Sequence, residues 1–94
     1  MTPDALRALP HPEGLSAPLA ALWWDAQGDW ARAHAVAQAE AGQPAAWVHA
    51  YLHRVEGDLA NADYWYRRAG RRRPDLPLAA EWAAITIALT RATE

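Results

Sequence analysis

Cysteine, lysine and phenylalanine are all absent from the chain, and methionine occurs once. Without cysteine there can be no disulfide, no thiolate nucleophile and no Cys-ligated zinc. All nine basic residues are therefore arginine, a bias to which no function attaches. Long apolar runs are missing too, so no segment is expected to span a bilayer. Asp4, Pro10, Pro12 and Pro18 interrupt the N-terminal stretch, which does not read as a signal peptide. A soluble cytoplasmic protein is the expectation. The net charge of −2 supplies no global basic field, so nucleic acid is not an expected partner.

What is present is a dense helical vocabulary. Hydrophobic residues make up 52 % of the 94, much of it alanine, the best helix former. Six Trp and three Tyr supply the bulk. Alanine lets helices approach closely, and the large rings fill the space between them. A chain of this length suits one domain, residues 1–94, with an efficient core.

Glycine and proline divide it. Residues 1–15 hold Pro3, Pro10, Pro12 and Gly14 and read as a largely irregular arm. Thr2-Pro3-Asp4 can start one short turn, with Leu6 and Leu9 folding back as a lid. A first helical hairpin is expected over 16–42, broken at Gly28-Asp29, and a second over 44–70, broken at Gly57-Asp58. A closing helix is expected over 78–92, with Leu78, Trp82, Ile85 and Leu89 on one apolar stripe. No segment reads as a strand. The fold class is all-α.

The two Gly-Asp corners align as an internal repeat with an offset of 57 − 28 = 29 residues. Gly57, Asp58, Leu59, Ala62, Tyr66, Ala69 and Pro74, with Ala50 before them, resemble the tetratricopeptide repeat. In the first unit Gly28, Asp29, Trp30, Ala33, Ala21 and Trp24 fit, while Ala37 replaces an aromatic. The offset is shorter than that family's period of about 34 residues. The stretches 47–54 and 64–69 also resemble a group of small bacterial helical proteins to which no activity is attached. The tetratricopeptide resemblance implies stacked hairpins that share one core and bind protein or peptide partners.

Three clusters are candidates for function. Trp47, Tyr51 and Arg54 share a helical stripe, at positions that the resemblance assigns to a concave partner-binding face. These residue types are also common at interface hot spots. The alternative is packing against the arm or first hairpin. His49, His53 and Glu56 form the second stripe. The resemblance places the histidines against the fourth of the expected helices, near Asp63 and Tyr66. That cluster reads as a satisfied structural network, an acid–base pair of His53 with Asp63, or a metal site of His49, His53 and Asp63 or Glu56. The third cluster is Tyr64-Trp65-Tyr66-Arg67-Arg68 with Arg71, Arg72 and Arg73. It reads first as a solvated helix end, with Arg68 directed away from the aromatics.

No phosphate loop, nucleophile elbow or carboxylate-rich cation loop occurs, and no cofactor is expected. The function these features imply is a non-enzymatic protein-interaction module, including its own homodimer. The alternative is a small enzyme or metal-binding protein built on His49, His53 and Asp63.

Overall fold

The computed structural model describes residues 1–93. Six helices pack into a compact globule, and no strand occurs among the described residues. They are α1 (Pro3–Ala8), α2 (Ala17–Ala26), α3 (Trp30–Gln38), α4 (Gln43–Val55), α5 (Leu59–Arg68) and α6 (Leu78–Thr93). Among the described residues, no helix is long and apolar enough to cross a membrane.

The two Gly-Asp corners are built alike. Gly28 and Gly57 take positive φ, at 84° and 85°, where a side chain is disfavoured. The residue after each glycine then reaches back five positions: Asp29 N–H donates to Trp24 O and Asp58 N–H to His53 O, both at 3.0 Å. Each aspartate next caps the following helix, Asp29 on the Arg32 amide and Asp58 on the Asn61 amide. One short segment thus closes one helix and opens the next, which makes α2–α3 and α4–α5 antiparallel hairpins.

Helix α4 is the hub. Every residue from Ala45 to His53 is buried, because α2, α3, α5 and α6 all pack on it. A helix apolar on nearly all sides is stable only when enclosed in this way. Helix α6 lies across α2 and α4, with Trp82, Ile85 and Leu89 buried against them. Leu78, expected on the same stripe, is instead exposed.

The arm is more ordered than its prolines suggest. Thr2 caps α1 through the Ala5 amide, and α1 packs on α6 and α2 with Leu6 fully buried. Tryptophan indoles tie the layers by donating to backbone carbonyls. Trp23 reaches Leu9 O in the arm (3.0 Å), Trp30 reaches Leu52 O in α4 (2.8 Å), and Trp82 reaches Leu22 O in α2 (3.1 Å). Each bond satisfies a ring N–H that burial would otherwise leave costly.

Candidate functional site

The expected partner-binding stripe is not a free surface. Trp47 and Tyr51 are buried and Arg54 is largely so. The reason is α6: its apolar stripe needs a face to cover, and the floor formed by α2 and α4 is that face. Arg71 lies over the Trp47 ring, 3.4 Å from its centroid. The Tyr51 hydroxyl interacts with the Asp25 carboxylate of α2. Arg54 forms an ion pair with Glu81 at 2.8 Å and also donates to Leu76 O.

Glu81 is 1 % exposed, and its two oxygens also accept from the Tyr66 hydroxyl at 2.8 and 2.6 Å. Burial pushes the Tyr66 hydroxyl above its ordinary range, and the bond to Glu81 adds to this. Tyr51 is pushed up mainly by burial and further by the charge of Asp25. Burial also raises the Asp25 carboxyl, partly offset by the bond from Tyr51. These contacts tie α2, α4, α5 and α6 together.

The histidines take a different course from the one expected. Asp63 does not join them: its carboxylate pairs with Arg73, 3.1 Å from Nε. Tyr66 turns to Glu81. Neither the His53–Asp63 pair nor the set of His49, His53 and Asp63 forms. The neighbour that faces α4 on this side is α3, and it brings His34. The ring centroids of His34 and His49 are 4.7 Å apart, those of His34 and His53 5.2 Å, and those of His49 and His53 4.8 Å. One ligand atom from each ring lies within 4.8 Å of the others.

Aromatic walls hold this cluster. Trp30 stacks on His34 at 4.8 Å and 11°, and Trp65 stacks on His49 at 3.9 Å and 18°. His53 Nδ1 meets Glu56 Oε1 at 2.7 Å. A carboxylate only accepts, so Nδ1 donates in this contact, and the neutral ring with this tautomer offers the lone pair of Nε2. Among the described residues, neither His34 nor His49 has a hydrogen-bond partner for its ring, although His49 is only 3 % exposed. Burial lowers the His49 pKa to about 4, helped by the neighbouring His34 and His53. Burial lowers His34 as well, with His53 adding to the shift and Glu56 opposing it. A cleft of about 490 Å³ opens on the same side, lined by His49, Trp65, Arg68 and the segment joining α3 to α4.

No helical spacing in the sequence links His34 to the His49–His53 pair, since it lies on another helix. The repeat itself held the signal, because 63 − 29 = 34 makes His34 the counterpart of Asp63. The second helix of a hairpin packs on the first helix of the next, so His34 meets α4 while Asp63 has only the linker beside it.

The arginine cluster is largely engaged. Arg68 donates to the Tyr64 hydroxyl at 3.0 Å and lies 5.0 Å from the Trp65 centroid, so it covers the aromatics it was expected to avoid. The outer face of α6 is the last notable surface. Its exposed positions between 78 and 92 are Leu78, Ala79, Ala80, Ala84, Ile87, Arg91 and Ala92, and only Arg91 is charged. No family model, curated protein or solved structure matches the chain.

Proposed function

We propose that the chain is a non-enzymatic, tetratricopeptide-like module for protein–protein contacts, and that its contact surface is the outer face of α6 with a second copy as partner. The repeat reading draws support from the two matching corners and the shared hub. The observation that carries the contact reading is the composition of α6. Ala80, Ala84 and Ile87 fall at four- and three-residue spacing on one exposed stripe. A helix apolar on its outer side as well as its inner side is suited to being covered.

The stripe is complementary to itself. Exposed Asp75 lies just before the helix and exposed Arg91 near its end. Antiparallel pairing of two copies brings each Arg91 toward the other's Asp75 and sets the helix dipoles head to tail. The small alanines allow close approach at the centre of that seam. The groove expected from Trp47, Tyr51 and Arg54 plays no part, since α6 itself fills it.

Light scattering across a concentration series tests this. Wild type is expected to shift from monomer to dimer mass as concentration rises, and Ala84→Glu to stay monomeric at every concentration. Arg91→Asp should weaken the dimer, and adding Asp75→Arg should restore it. A wild-type mass that stays monomeric throughout would remove the proposal.

A further inference from the structure

We propose that His34, His49 and His53 form a binding site for one divalent first-row transition ion, with zinc as the fitting occupant and a fourth position left to water. The inference stands independently of self-association. It begins with two imidazoles that make no hydrogen bond. An imidazole has two ring nitrogens, and each can take a hydrogen bond or serve as a ligand. Neither His49 nor His34 makes a ring hydrogen bond among the described residues, so their nitrogens are left to solvent or to a ligand. Three rings facing one another offer no carboxylate between them to satisfy these nitrogens. A cation does satisfy them, because neutral imidazole nitrogens are its ligands.

The geometry fits such an ion. Zinc takes imidazole nitrogens at about 2.0–2.1 Å, and a tetrahedral arrangement then sets them roughly 3.3 Å apart. The ligand atoms already lie within 4.8 Å of one another. His49 and His53 come from successive turns of α4, and His34 crosses from α3, so the ligands approach from two directions. The third wall belongs to Trp65 on α5.

The outer layer is also in place. Glu56 Oε1 lies 2.7 Å from His53 Nδ1, the usual partner arrangement for an imidazole whose other nitrogen binds a metal. Trp30 and Trp65 restrain the other two rings by stacking. A set of imidazoles without thiolates suits zinc, cobalt, nickel and copper(II) over softer or harder ions. The cleft lined by Trp65 and Arg68 reaches His49.

Cobalt(II) titration of the untagged chain at neutral pH tests the site. The expected result is visible d–d absorption of tetrahedral strength, saturating at one equivalent and displaced by zinc. Glu56→Gln should weaken binding by roughly 10-fold or more. His34→Ala and His49→Ala should weaken it further, and His11→Ala, on the exposed arm, should leave it unchanged. Far-UV circular dichroism confirms that each variant is folded. Should His49→Ala unfold, His34→Gln decides the matter, since that ring is half exposed and keeps its volume. Absence of the tetrahedral spectrum in wild type would overturn the proposal. So would retention of full binding by His34→Ala and His34→Gln, because the second carboxylate-containing set of His53, Glu56 and Asp58 would then be the ligands.

Discussion

Helix α4 presents polar groups on two sides, and the two sides are finished differently. Toward α6, Arg54 has Glu81 and Leu76 O, Tyr51 has Asp25, and the nearby Tyr66 has Glu81. Toward α3, His49 and His34 have stacked tryptophans and each other, but no hydrogen bond among the described residues. Burial alone does not mark a functional group. A buried polar group whose bonds are complete belongs to the architecture. A polar group whose bonds are open has capacity for something else.

The largest expected effect comes from breaking the finished side. Glu81→Ala leaves the Arg54 charge and the Tyr66 hydroxyl without their acceptor in a buried setting. Removing one member of a buried pair costs about 3–5 kcal/mol, and urea denaturation should show a loss in that range. Glu81→Gln keeps an acceptor for Tyr66 and should lose less. Equal and negligible losses in both variants would mean that the network is not closed as described.

Acid should act on the other side. The folded pKa of His49 lies at about 4, below its ordinary 6.5. Between those values the unfolded chain binds more protons than the folded one, so stability rises with pH across that window. The contribution is fully present above 6.5 and is lost as pH falls through about 4. Denaturation midpoints measured over this range should fall on acidification. The fall should be shallower in His49→Gln, which has no imidazole to charge.

The smallest effect is expected for His34→Ala in the metal-free protein. That ring makes no hydrogen bond among the described residues and is half exposed, so mainly the stacking on Trp30 is lost. An aromatic pair is worth about 0.5–1.5 kcal/mol, and the thermal midpoint should move correspondingly little. A loss rivalling that of Glu81→Ala would erase the distinction between the two sides.

Local features of the fold were legible in the sequence because they are made locally. The Gly28-Asp29 and Gly57-Asp58 corners need only a residue tolerant of positive φ followed by a cap, and both are written in adjacent letters. The position of α6 was not legible. Its stripe of Trp82, Ile85 and Leu89 shows that it must cover something, but not which face. The floor of α2 and α4 is filled from within, so Trp47, Tyr51 and Arg54 became core where a partner surface was expected. The Arg54–Glu81 pair spans 27 residues across a proline-containing linker, and no pattern announces it. At the candidate site, the i, i+4 spacing identified His49 and His53. The partner was sought within the same hairpin, at Asp63, when the preceding hairpin supplies His34. The difference lay in which neighbour α4 faces.

Nitrogen-15 NMR of the four histidine rings tests the contrast most directly. His49 should remain neutral down to a midpoint near pH 4. One equivalent of zinc at neutral pH should shift His34, His49 and His53 together while leaving exposed His11 in place. A His49 midpoint near 6.5, with zinc moving none of the three rings, would show that this side of α4 is as complete as the other.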